Sequence, residues 1–190
     1  MSVAKGTRDV APASMSEDYR APVGTSIGHV HLRVTDLERS IRFYEGVLGF
    51  ALQARLGDQA AFLGARMPGE GEPVYHHHIG LNTWESRNGP PAPRGHAGLY
   101  HAAILYPDRA ALASAVRRVL EAGVALTGAS DHGVSEAVYL DDPDGNGLEL
   151  YRDRPAADWP RGADGRLAMT VGPLDLEGLL GGRPSRVRGV

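Results

Sequence analysis

The sequence predicts an α+β fold in which two β-α-β-β-β modules pair into one metal-binding cleft. Three observations carry this. The order strand, helix, three strands occurs twice along the chain. The first strand of each copy holds a histidine at the same place, His29 in IGHVHLRV and His101 in LYHAAIL. The last strand of the second copy, GLELYR, sets Glu149 between Leu148 and Leu150. One such unit has an apolar face and open edges, so two copies pair to bury a common core. The repeat is weak in residue identity and strong in the order of its elements.

Residues 1–25 are polar, rich in Ala, Pro, Ser and Gly, and without period, and read as an N-terminal arm. The folded domain spans residues 26–154, with module one at 26–84, a linker at 85–98 and module two at 99–154. From Ile27 to Val34 the side chains alternate, with His29, His31 and Arg33 on one face and Val30, Leu32 and Val34 on the other, as in a strand. Thr35 and Asp36 offer N-cap oxygens, and Thr35 with Glu38 has capping-box spacing. Leu37, Ile41, Tyr44 and Leu48 recur at helical intervals before Gly49 stops the helix. Strand-like FALQARLG and QAAFLGARM follow, then a Pro68–Pro73 turn and a fourth strand in VYHHHIGLNTW.

The linker ESRNGPPAPRGHAG separates the copies. LYHAAILY is then a strand, Asp108 stands as a cap where Asp36 stood, and Leu112, Val116, Val119 and Leu120 mark a helix ended by Gly123. VALTGAS, EAVYLDD and GLELYRD complete the second unit. Laying His29 over His101 superposes Asp36 on Asp108, and laying the last strands together puts Gly80 over Glu149. Residues 155–190 form a tail with one helical candidate, LDLEGLL.

The composition is that of an ordinary domain. The 190 residues suit one domain with tails, and 42% hydrophobic residues suffice for a core. A formal charge of -3 leaves no basic footprint for nucleic acid. Cysteine is absent, which removes disulfides, thiolate zinc sites and a cysteine nucleophile. No apolar run reaches the ~20 residues of a membrane span, and the N-terminus lacks a secretion signal's apolar stretch, so a cytoplasmic protein is expected.

His29, His101 and Glu149 are the candidate metal ligands. A buried imidazole is costly unless its nitrogens are paired, and so is a carboxylate between two leucines. A divalent cation satisfies all three. Two histidines and one carboxylate leave positions open on the metal, the set expected of non-heme Fe(II), with Mn(II) also suited. His31 shares a face with His29 and competes with it, but His29 is the one that overlays His101. His96 sits in the linker and is expected to be solvated.

On these residues the chain resembles the vicinal oxygen chelate superfamily, which includes glyoxalases, bleomycin-resistance proteins and dioxygenases. Within it, the likeness is to type I extradiol ring-cleaving dioxygenases such as catechol 2,3-dioxygenase. The segment from His132 through Tyr139, Pro143 and Gly145 to Glu149 is similar to the extradiol motif. Ser130 departs from it, standing where Gly, Asn, Thr or an aliphatic residue is usual. Glyoxalase-like members carry a glutamate where this chain has Gly80, so its absence leaves the metal more open; fosfomycin-resistance enzymes share that feature.

The resemblance implies an enzyme that opens a catechol-type aromatic diol with O2, working as a homodimer. It implies His77 as the acid–base residue, whereas strict alternation would aim His78 inward with Gly80; both stay open. It implies that His132 hydrogen-bonds the charge developing on oxygen and that Tyr139 donates to a ring oxygen or assists the ketonisation steps. Rival readings are a glyoxalase-type isomerase, a fosfomycin-resistance-type thiol transferase and a metal-free small-molecule binding protein.

Overall fold

Alternation in the first strand has a simple structural outcome. In β1 (Val30–Arg33), Leu32 is buried while His31 and Arg33 face solvent. This is seen in a computed structural model of the chain, which describes residues 20–65, 75–93 and 95–181. Most of the N-terminal arm and the Pro68–Pro73 turn lie outside the described residues. The strand is shorter than the sequence suggests: Ile27 is exposed and His29 lies one residue before the first ladder pair.

The helix of module one begins as α1 (Leu37–Ile41) and widens into a π-helical turn over Arg42–Val47. Asp36 caps it by accepting a hydrogen bond from the Arg39 amide, as expected. Thr35 does not close a capping box; its amide and hydroxyl both donate to Asp144 of the other module. The wide turn lets the consecutive side chains Phe43 and Tyr44 both enter the core. Gly49, at φ +81°, ends the helix.

Strands β2 (Ala51–Leu56), β3 (Ala60–Gly64) and β4 (Ile79–Asn82) complete a sheet of order β1-β4-β3-β2. Module two repeats the plan. It runs through β5 (Ala102–Leu105), α2 (Arg109–Glu121) with its Asp108 cap, β6 (Leu126–Asp131), β7 (Ser135–Asp141) and β8 (Gly147–Asp153). The tail adds β9 (Gly172–Pro173) beyond β6 and the short α3 (Leu176–Leu180) against α2. The second sheet is therefore five-stranded, β5-β8-β7-β6-β9. α3 was legible in the sequence and β9 was not.

Strand register supports the internal alignment. His31 pairs with Gly80 in the parallel β1–β4 ladder, and Ala103 pairs with Glu149 in the parallel β5–β8 ladder. Since His31 and Ala103 each follow the key histidine by two residues, Gly80 and Glu149 are equivalent positions.

The modules share one core, with Leu32, Leu81 and Tyr44 of the first joined to Leu112, Leu148 and Leu150 of the second. They are stitched together through the helices. The Arg39 guanidinium donates to Asp144 at 2.7 Å, the Ser40 hydroxyl at 3.2 Å, and the Tyr44 hydroxyl donates to Asp142 at 3.0 Å. Arg118 of α2 donates to the Val47 and Gly46 carbonyls in return. Among the described residues no helix is long and apolar enough to cross a membrane.

Asp144 is the hub of that seam. Burial alone would raise its carboxyl, but the hydrogen bonds from Thr35 and Arg39 hold it below the ordinary value. The stability it lends is present above the unfolded-state value of about 4 and is lost as pH falls through the lower folded-state value. Asp144→Ala leaves the Thr35 amide and hydroxyl without their acceptor and the Arg39 guanidinium without its carboxylate, and is expected to cost about 3 kcal/mol in urea unfolding. An unchanged midpoint would show that the seam does not hold the modules together.

Candidate functional site

Four of the predicted residues meet on the open face of the second sheet. The Glu149 carboxylate projects from β8, with 13% of its side chain exposed, and its Oε2 lies 2.8 Å from His101 Nε2. Its other oxygen accepts from the Tyr139 hydroxyl at 3.2 Å. That hydroxyl is 2.8 Å from His132 Nε2, and His132 Nδ1 is 3.0 Å from the Thr170 carbonyl. Tyr139 and Glu149 are brought side by side because they are direct partners in the antiparallel β7–β8 ladder. Leu148 and Leu150 point the other way into the core and fix which face Glu149 takes.

The electrostatics of this group suit proton handling. Burial, then the nearby Glu149 carboxylate, push the Tyr139 phenol up to about 12, so it is a hydrogen-bond donor throughout the neutral range. His101 Nδ1 is buried without a partner, while Nε2 and the Glu149 oxygen point at one another. Their spacing is close to the roughly 3 Å between neighbouring donors on an ion with bonds of about 2.1 Å.

His29 and His77 lie together on the first sheet. Their ring centroids are 4.5 Å apart, and His77 also packs edge-on against Phe62 at 5.0 Å. His78 is turned elsewhere: its Nδ1 accepts from the Ala65 amide at 3.2 Å. Of the two candidates for acid–base work, His77 is the one beside His29. Burial, then His29 and the other neighbouring imidazoles, lower the His77 pKa.

Gly80 has a role the sequence does not reveal. A Cβ there would stand 2.9 Å from His31 Cγ, so the missing side chain makes room for the His31 ring. That ring packs against Phe62 and Trp84, at 5.9 and 5.6 Å. His31 is thus a neighbour of the histidine pair, lowered by burial and then by His29.

One chain does not bring His29 to His101 and Glu149. Among the described residues no group of three His, Cys, Asp or Glu side chains is close enough to hold a metal ion. The donor types suit Fe(II) or Mn(II), but a single chain gathers two donors of the three. His29 is also exposed rather than buried, so the burial argument holds for Glu149 and in part for His101 only. The modules meet through their helices, and both histidine faces are left open.

Sequence reasoning missed two participants. Phe62, beside His77, could have been found, since it pairs with Gly80 across the β3–β4 ladder. Thr170 could not, because it acts through its main chain.

The sequence profile of the Glyoxalase/Bleomycin resistance protein/Dioxygenase superfamily matches residues 26–150. The chain is 43% identical over 157 residues to the catechol-2,3-dioxygenase of Bacillus subtilis (strain 168), an alignment covering 82% of this chain and 51% of that protein. It thus spans about half the length of that relative. It is 31% identical over 132 residues to virulence protein STM3117 of Salmonella typhimurium, covering 65% of this chain and 81% of that protein. Among solved structures, the glyoxylase/bleomycin resistance protein/dioxygenase domain from Frankia sp. EAN1pec superposes with a TM-score of 0.54 at 25% identity, covering 68% of this chain and 98% of that one.

Proposed function

The chain belongs to the glyoxalase/bleomycin resistance protein/dioxygenase superfamily, and from that membership we propose that it is an Fe(II)-dependent extradiol dioxygenase acting on a catechol-type diol with O2. The observation that carries the choice of activity is the hydrogen-bonded series His132–Tyr139–Glu149–His101. An isomerase or a thiol transferase on this scaffold has no need of a phenol and an imidazole lined up beside the carboxylate ligand. Ring opening has such a need, since protons leave the diol and return to the opened product. Tyr139 donates to a substrate oxygen, His132, once it has taken up a proton at Nε2, steadies the charge that gathers there, and His77 takes up and returns a diol proton. General acid–base help of this kind is worth ~10²–10⁴-fold.

The deciding experiment is anaerobic loading with Fe(II), addition of catechol and admission of air, following oxygen uptake and the yellow ring-opened product together. Stoichiometric uptake with colour supports the reading. A metal-loaded protein that consumes no oxygen with a panel of catechols would transfer the site to isomerase or thiol-transferase chemistry.

The third metal donor belongs, in this reading, to a second copy of the chain. Each chain carries both halves of the site, so a two-fold pair sets His29 of each copy against His101 and Glu149 of the other and makes two whole sites. The surfaces suit this. β1 and β5 are both unpaired sheet edges, and Trp84, Tyr100 and Leu105 are exposed near the histidine faces. His29→Ala and Glu149→Ala proteins, each unable to bind iron, are expected to regain about one iron per mixed dimer, or roughly half an iron per dimer overall, when unfolded and refolded together in equal amounts. Monomers at micromolar concentration, or mixtures that stay empty, would place all three ligands in one chain.

A further inference from the structure

We propose that the main-chain carbonyl of Thr170, on the C-terminal strap, is a positioning group that fixes the tautomer of His132 and so presents its Nε2 to Tyr139 as a proton acceptor. The strap lies beyond residue 150, where the superfamily match ends. It leaves β8 at Arg154, whose carbonyl accepts from the Trp159 indole at 2.8 Å. It doubles back through a bridge between Arg161 and Leu167 and then crosses the β6–β7 turn. Its far end is tied to α2, where Arg109 donates to the Gly178 carbonyl and Leu179 is buried.

Thr170 grips His132 twice. Its amide donates to the His132 carbonyl at 3.1 Å, and its own carbonyl is 3.0 Å from His132 Nδ1. A carbonyl only accepts, so Nδ1 must carry the proton of that bond. In the neutral ring the other nitrogen is then bare, and Nε2 is the atom 2.8 Å from the Tyr139 hydroxyl. The direction of the relay follows: Tyr139 can pass its proton to His132, and His132 can return it. The phenol has one proton, which a bare Nε2 at 2.8 Å draws from Glu149 at 3.2 Å. A ring protonated at Nε2 would instead donate to the phenol oxygen and leave that proton on Glu149.

The contact is built closely. Gly133, at φ +73°, follows His132 in the turn, and a Cβ on it would stand 2.9 Å from Pro160 Cγ and 3.2 Å from Thr170 Oγ1. Both limbs of the strap thus press on the one residue that offers no side chain. β9 holds the register, pairing Asp131 with Gly172 and Ser130 with Pro173.

The test replaces the Thr170–Val171 amide by an ester, with α-hydroxyvaline at position 171, which weakens the Thr170 carbonyl as an acceptor and keeps every side chain. The readout is the ring ¹⁵N shifts of His132 in metal-free protein, assigned by their loss in His132→Gln. The parent is expected to show a protonated Nδ1 and a bare Nε2, and the ester to mix the two tautomers. Gly133→Ala, which lifts the strap, is expected to do the same by an independent route should the ester protein fold poorly. Arg166→Ala, on the exposed hairpin of the strap, is expected to change nothing. A parent ring protonated at Nε2, or a tautomer unmoved by both changes, overturns the proposal.

The activity arm rests on the dioxygenase reading, with kcat expected to fall about tenfold at constant KM in the ester form. A tautomer that shifts while kcat holds would keep the role of Thr170 and remove His132 from the chemistry. The two failures are therefore separable.

Discussion

Glu149→Ala is expected to empty the protein of iron and to abolish oxygen uptake with catechol while the fold stands. The fold survives because the carboxylate lies on the open face of β8, and the neighbours that face the core, Leu148 and Leu150, are untouched. The loss of metal is complete because Glu149 is the only anionic donor of the proposed set and also orients the rest. One of its oxygens faces His101 Nε2 and the other accepts from Tyr139. Glu149→Gln separates the two effects, keeping the shape of the side chain while removing the charge that a divalent ion needs. Tyr139→Phe provides the scale, since loss of a partner behind a ligand costs about 10–100-fold in affinity or activity. Iron content by mass spectrometry, read beside circular dichroism, decides the matter. A Glu149→Ala protein that retains its iron would move the metal site elsewhere.

How much of this was legible in the sequence depends on whether a feature is local. Alternation in HVHLRV, the Asp36 and Asp108 caps and the glycine stops are short-range, and the structure repeats them. The equivalence of Gly80 and Glu149 is longer in range but was visible because the module is repeated, and the two parallel ladders bear it out. The association of His132 with Tyr139 was legible only through the resemblance to the extradiol motif. What sequence could not give is how two units of similar shape dock. That depends on contacts such as Arg39, Ser40 and Thr35 converging on Asp144, each an ordinary polar residue with no pattern of its own. The consequence is large, for the docking through helices parts His29 from His101. Register along a strand is fixed by period two, whereas the packing of modules is fixed by a few buried polar contacts.

His77→Ala is expected to lower kcat by ~10²–10⁴-fold and to leave the iron content of the protein as it was. His77 touches His29 and Phe62 without being one of the three donors, and its lowered pKa leaves the ring neutral near pH 7, ready to accept a proton. His78→Ala supplies the contrast. Its imidazole serves the Ala65 amide, so its removal is expected to cost about 1 kcal/mol of stability and to change turnover only a few-fold. The reverse pattern, with His78→Ala crippled and His77→Ala active, would hand the role to the residue that strict alternation favours. Mixed dimers sharpen the test, because His77 belongs to the same half-site as His29. His77→Ala refolded with Glu149→Ala is expected to recover about one working site per mixed dimer. His77→Ala refolded with His29→Ala is expected to recover none, since both changes fall on module one and every site in the mixed dimer then carries a defect.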